Sequence, residues 1–242
     1  MDKLTTRRKV ILCAVIGDYI TNAKPVSSRR LLLKYAFKCS GATLRNELSY
    51  LEKAGLLNHP HTSAGRVPTE LGYRYYVNEL NDKGLNLDER ARIVDFFAEI
   101  NSELDNTLEQ TAFLLSKITN YIGLALSTQR VYFSGANKLL DFPEFSSRES
   151  FAEVLDIIQN GYKLLNFFHK VLYTGQPVIK IGSENAELGF KDLSLVASLY
   201  GPDNKASGAV GILGPTRMNY GRAISAVKCV TSNLSQTLES LN

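Results

Sequence analysis

The chain has 242 residues, 44% hydrophobic and 21% charged, a composition that excludes a disordered, collagen-like or membrane-dominated protein. Three scattered cysteines, Cys13, Cys39 and Cys229, do not form a disulfide framework, and no apolar run approaches a membrane span. The apolar stretch from Val10 to Ile16 is interrupted by Asp18 and Tyr19 and has no small-residue cleavage site after it, so a cytoplasmic protein is expected. The three histidines give no metal set. His59 and His61 flank Pro60, but no cysteine or carboxylate joins them at ligand spacing. No metal and no cofactor is therefore expected.

The net charge of +4 is unevenly placed. Residues 1–80 carry 13 Lys and Arg against 6 acidic residues, whereas residues 81–242 carry 15 against 18. A basic head on a slightly acidic remainder suits phosphate neutralisation by a nucleic-acid binder.

In chain order, the first helix is expected from Leu4 to Ile20, with Val10, Ile11, Ala14, Val15 and Ile16 at helical spacing. The turn Thr21 to Pro25 stops it. A second helix is expected from Arg29 to Phe37, capped by Ser27 or Ser28, with Leu31, Leu32 and Tyr35 inward. Ser40 caps a third, Ala42 to Ala54, and Gly55 ends it. Leu56-Leu57 begins a short strand, and a loop from His59 to Pro68 leads to a fourth helix capped by Thr69.

The third helix carries the chemistry. Leu44, Leu48 and Leu51 form one apolar stripe. The other side presents Ala42, Asn46 and Ser49, flanked by Thr43, Arg45 and Tyr50. Arg can pair with guanine and Asn with adenine in a major groove, and small residues permit close approach. A merely solvated polar face is the bland alternative. The following loop favours the functional one: Ser63, Ala64, Gly65 and Arg66 read as a slim hairpin wing tipped by one Arg, suited to a minor groove or to phosphates. The N-terminal region therefore reads as a winged helix-turn-helix that binds double-stranded DNA.

The middle region, 81–128, is expected to be a long helical connector, because Ile93, Phe97, Ile100, Leu104, Leu108, Leu115, Ile118, Ile122 and Ala125 recur at three- and four-residue steps. Either the C-terminal part or a second subunit would cover this stripe, and a homodimer suits a palindromic operator. Residues 129–242 read as α+β, with helices on one face of a sheet. Strands are expected at Arg130 to Ser134, Pro177 to Gly182, Leu193 to Tyr200 and Ala206 to Leu213, and helices at Glu149 to Phe168 and Asn219 to Leu241. Gly208, Gly211 and Gly214 lack phosphate-loop spacing, and Asp141 and Glu144 around Phe142-Pro143 read as a capped loop. No catalytic set stands out, and no enzyme is expected.

The run GATLRNELSYLEKAGLLNHPHTSAGRVPTELGYRYYVNEL, with ITNAKPVSSRRLL before it, closely resembles the bacterial heat-inducible transcription repressor HrcA family. GANKLLDFPEF, IGSEN and GAVGILGPTRMNYGRAISAVKCVTSNLSQTL resemble its C-terminal signatures. The resemblance implies an α+β protein with an N-terminal winged helix-turn-helix, a helical connector and a reduced GAF-like C-terminal domain used for dimerisation. It implies a nucleoid-associated, non-enzymatic repressor of chaperone operons that binds an inverted-repeat operator, with the GroE chaperonin as partner. Ser40, Ala42, Thr43, Arg45 and Asn46 match the family's recognition helix, and Ser63, Ala64, Gly65 and Arg66 its wing. Two departures stand out: Gly41 replaces the family's usual Pro, and Ser127 runs almost directly into Arg130 where relatives place an inserted dimerising subdomain. The alternative function is a ligand-sensing regulator with an effector pocket in the C-terminal domain.

Overall fold

Thr5 begins the first helix, its hydroxyl accepting the backbone N–H of Arg8 at 3.4 Å. The computed structural model describes residues 4–61, 65–80, 84–100, 103–159, 164–168, 177–189, 191–202 and 206–241. The chain divides into two units, Met1–Leu80 and Asn81–Asn242.

In the first unit, α1 (Thr6–Asn22) buries Ile11, Leu12, Val15 and Ile16, while Val10, expected inward, is exposed. Ala23 in the left-handed region (φ 52°) ends the helix by donating to the Tyr19 carbonyl. Ser27 caps α2 (Ser28–Lys34), which is shorter than expected. Tyr35 turns to extended backbone, so Leu31 is buried but Leu32 and Leu33 face outward. Ser40 caps α3 (Gly41–Lys53), and Gly55 follows it at φ 73°. Strands β1 (Leu57–Asn58) and β2 (Val67–Pro68) pair antiparallel, Leu57 opposite Pro68 and Asn58 opposite Val67. Thr69 then caps α4 (Glu70–Asn78).

A buried carboxylate fastens α1 to α2. Asp18 is fully buried and meets Arg30 Nε at 2.5 Å and Lys34 Nζ at 2.7 Å. Burial pushes its carboxyl up, but the hydrogen bonds from Lys34 and Arg30 outweigh this and hold it below the ordinary carboxylate value.

In the second unit, Asn86 and Glu89 form a reciprocal capping box at the start of α5 (Leu87–Glu99). After α6 (Leu104–Thr119) the expected helical connector gives way. Asn120 adopts φ 62° and closes the helix, and β3 (Ile122–Ser127) follows. Ile122 and Ala125 therefore lie on a strand. The reason is that 122–127 is apolar at nearly every position and buried on both faces, a pattern whose period does not separate helix from strand. Segment 81–128 is thus part of the second unit and contributes a strand to its sheet.

The sheet has five antiparallel strands in the order β4-β3-β7-β6-β5, with β4 (Val131–Ser134), β5 (Val178–Ile181), β6 (Leu193–Tyr200) and β7 (Gly208–Pro215). β3 and β4 form a tight hairpin in which Ser127 N–H donates to the Arg130 carbonyl at 2.9 Å. One face packs under α6 and the last helix, α8 (Tyr220–Leu241). Gly123 permits this, because a Cβ there would lie 2.1 Å from the Ala112 carbonyl oxygen. Helices also cover the second face, contrary to the one-sided expectation. Val154 and Ile158 of α7 (Arg148–Gln159) and Leu164, Phe167 and Phe168 of the helical residues 164–168 close a core with Leu124, Leu126, Leu195 and Leu213. Both faces of β6 are buried, and a one-layer cover would have left its Leu193, Leu195 and Ala197 in water.

Polar locks hold the helices to the sheet. Ser194 and Tyr220 hydroxyls meet at 2.8 Å, and the Tyr220 hydroxyl donates to the Thr216 carbonyl at 2.6 Å. Arg222 pairs with Glu89 and donates to the Ile118 carbonyl at 2.9 Å, so one guanidinium ties α5, α6 and α8 together. Glu144, expected in a capped loop, instead accepts from Arg217 Nε at 2.5 Å. Gly208, Gly211 and Gly214 lie within β7 as close-packing positions.

Asp18→Asn is expected to cost about 1–3 kcal/mol at pH 7, less than orphaning a wholly buried pair because Arg30 and Lys34 keep much of their surface in water. The folded-state carboxyl titrates below its unfolded value of about 3.9, so its contribution is complete above that value and is lost as pH falls through the lowered one. Urea unfolding at neutral and acid pH checks this. A variant that matches the parent at both would remove Asp18 from the stability of the first unit.

Candidate nucleic-acid interface

α3 is amphipathic in the sense that matters for a groove reader. Leu44, Leu48 and Leu51 are buried, whereas Ala42, Arg45 and Asn46 are exposed and Ser49 and Thr43 half-buried. At about 100° per residue, Ala42, Arg45, Asn46 and Ser49 share one face. Exposed Lys53 continues that face by one more turn, a residue that sequence reasoning missed because it lies beyond the first turns of the helix. Arg45 makes no ion pair among the described residues, so its guanidinium is available to an outside acceptor. Ser40 is engaged locally: its hydroxyl accepts the Thr43 N–H at 3.1 Å and pairs with the Thr43 hydroxyl at 3.0 Å.

The helix is braced from its other side by α1. Glu47 meets Arg8 at 2.8 Å and Arg7 at 3.9 Å, and the Arg8 guanidinium lies 3.4 Å above the Tyr50 ring. Tyr50, one of the flanking residues of the expected reading face, thus serves partly as a platform for α1. The two N-terminal arginines that add to the basic bias are already partnered with this acid.

The hairpin root differs from the expectation. The sequence pattern puts Arg66 at a tip, but its backbone pairs with Val26 in both directions, each bond 2.8 Å, immediately before β2. Its side chain is only 19% exposed and meets Glu52 of α3 at 2.8 Å. The correction follows from register: a residue adjoining β2 and bridged to Val26 sits on the rail of the hairpin, and its side chain falls onto α3. Gly65 is likewise a root residue. A Cβ there would lie 2.4 Å from the Val26 carbonyl carbon, so only Gly permits the two backbones to meet. Ser63 and Ala64 lie outside the described residues. Glu52 was missed because its partner is fourteen positions away in the chain and no local pattern links them.

Among the described residues no cluster of three metal-ligating side chains occurs, and no helix is long and apolar enough to cross a membrane. The arrangement offers hydrogen-bond donors and acceptors on a convex helix beside a braced hairpin.

Comparison with known proteins adds the lineage. A family model described as the HrcA protein C-terminal domain matches residues 83–224. The heat-inducible transcription repressor HrcA of Moorella thermoacetica is 29% identical over 342 aligned positions, covering 99% of each chain. That of Thermoanaerobacter pseudethanolicus is 28% identical over 340 positions, covering 98% of each. Since this chain has 242 residues, about a hundred positions in those alignments face no residue of it. A solved structure titled as a hypothetical protein at 2.2 Å superposes with a TM-score of 0.80 at 18% identity, over 99% of this chain and 100% of that one, and shares its fold. With the family model spanning more than half of its length, the chain belongs to the HrcA family.

Proposed function

We propose that the protein is a heat-inducible transcription repressor whose first unit is a winged helix-turn-helix, with α3 entering the major groove of an inverted-repeat operator. The observation that carries this reading is the free polar face of α3, with Ala42, Arg45 and Asn46 exposed opposite three buried leucines. The names of its relatives, heat-inducible transcription repressors, support the repressor role. Ser40, Thr43 and Ser49 border that face. Gly65 and Arg66 hold the hairpin against it, and Ser63 and Ala64 complete the proposed wing. The operators are those of chaperone genes, the protein works in the cytoplasm on the chromosome, and the GroE chaperonin is its partner. The second unit is a reduced GAF-like domain that supports a homodimer. The hollow lined by Leu126, Leu165, Phe168, Leu199 and Ala209 measures about 90 Å³, below the roughly 300–1,000 Å³ of a typical ligand site, which favours the repressor reading over an effector-sensing one at that place.

Arg45→Ala is expected to weaken operator binding by about 1–3 kcal/mol and to spare binding to random duplex. Fluorescence titration with both duplexes decides. Equal losses on the two would reduce Arg45 to a phosphate contact, and no binding by the parent protein to either would end the proposal.

Arg66 acts on DNA through Glu52. Arg66→Ala and Glu52→Gln are therefore expected to lower operator affinity to a similar extent. If only Arg66→Ala weakens binding, and it also flattens the salt dependence, Arg66 touches phosphate directly. Sedimentation is expected to give a dimer at the concentrations that occupy the operator. A monomer bound to a full palindrome would remove the two-fold part of the proposal.

A further inference from the structure

α5 is fixed to the second unit along one side. Ile93 and Phe97 are buried, Glu89 pairs with Arg222 of α8, and the Gly84 N–H just ahead of the helix donates to the Ser225 hydroxyl at 2.9 Å. Its other side is apolar and uncovered. Leu87 is 85% exposed and Val94 49%, and Ala91 and Ala98 are exposed with them. Single exposed apolar residues are ordinary, but these four follow one another at steps of four, three and four residues. That spacing keeps them on one seam of the helix, in the alternation by which two helices pack knobs into holes.

The flanks of the seam carry opposite charge. At about 100° per residue, Arg90 falls about 70° to one side of it and Asp95 about 70° to the other, with Asp88 close to the line of Asp95. Arg90 is half-buried, both aspartates are exposed, and none of the three makes an ion pair among the described residues. In a parallel pair of identical helices each flank meets the opposite flank of the other copy, so Arg90 faces Asp95 of the partner subunit, twice about the two-fold axis. An antiparallel pair would set arginine against arginine and aspartates against aspartates, which repel. The charges therefore select both the occupant and its direction.

We infer that the α5 seam is a homodimer contact, on which a second copy of this chain lays its own α5 parallel and in register, Leu87 on Leu87 and Val94 on Val94. The inference rests on the homodimer of the proposed function and names a surface for it. Four seam positions are too few to join two free helices, whose ordering would cost more than the seam returns. Here Ile93, Phe97 and the Glu89–Arg222 pair have already ordered each helix, so association meets mainly the rigid-body cost.

The test is sedimentation equilibrium of the full chain as the parent, as Arg90→Glu, as Asp95→Arg and as the exchange Arg90→Glu/Asp95→Arg. Neither side chain has an ion-pair partner among the described residues, so each variant is expected to keep the parent's helical circular dichroism. Each single variant sets like charges across the seam at both symmetric places and is expected to raise the dimer dissociation constant about tenfold. The exchange restores opposite charges and should return it close to the parent's. Val94→Cys should cross-link into a disulfide dimer under mild oxidation, whereas Arg92→Cys, off the seam, should stay at the level of the parent with its Cys13, Cys39 and Cys229. A dimer indifferent to both single variants overturns the inference and leaves the homodimer to another surface, as does an exchange that restores nothing or Arg92→Cys cross-linking as readily as Val94→Cys. Single variants that sediment like the parent but melt at a lower temperature would show the seam covered within the chain and also overturn it. A parent that stays monomeric at the concentrations that occupy the operator ends the homodimer and the inference together.

Discussion

The meeting of the Val26 and Arg66 backbones is the constraint on which the first unit depends. Two hydrogen bonds join the turn between α1 and α2 to the rail of the hairpin, and Gly65 is what lets them form. From that point the Arg66 side chain reaches across to Glu52 and fixes the hairpin against α3. Arg8 and Arg7 brace the same helix through Glu47 from another side. α3 is therefore held by its leucines below and by ion pairs at its flanks, which leaves only its polar face free. Preorganisation of this kind lowers the ordering cost that binding would otherwise incur.

Charge in the first unit falls into two classes that composition alone merges. Arg7, Arg8, Arg30, Lys34 and Arg66 are spent on Glu47, Asp18 and Glu52, acting as fasteners between helices. Lys24, Arg29, Arg45 and Lys53 remain exposed, without ion pairs among the described residues. The +7 excess of residues 1–80 is therefore carried mainly by side chains that the fold does not use. In the second unit the pairs Arg217–Glu144 and Arg222–Glu89 act as fasteners as well.

Much of this was legible beforehand where local rules decide. Ser40, Thr69 and the leucines of α3 stand where capping and periodicity put them, because a cap acts over three residues and an apolar stripe over one helix. Legibility failed where distant partners decide. Nothing near Arg66 in the chain announces Glu52 or Val26, so a root residue read as a tip. Leu32 read as core, yet α2 stops before a second apolar turn could enclose it. Residues 122–127 read as helix because burial on both faces erases the period that separates the two regular structures.

The bend between β3 and β4 carries a consequence for how this family can vary in length. Among the described residues it joins an edge strand to its one neighbour, and just Thr128 and Gln129 lie between the residues that close it. Extra chain spliced into such a bend leaves every strand register untouched, and its closure cost grows only with the logarithm of its length. A member of this lineage can thus gain or shed a whole module there while the five-stranded sheet and its two helical covers persist.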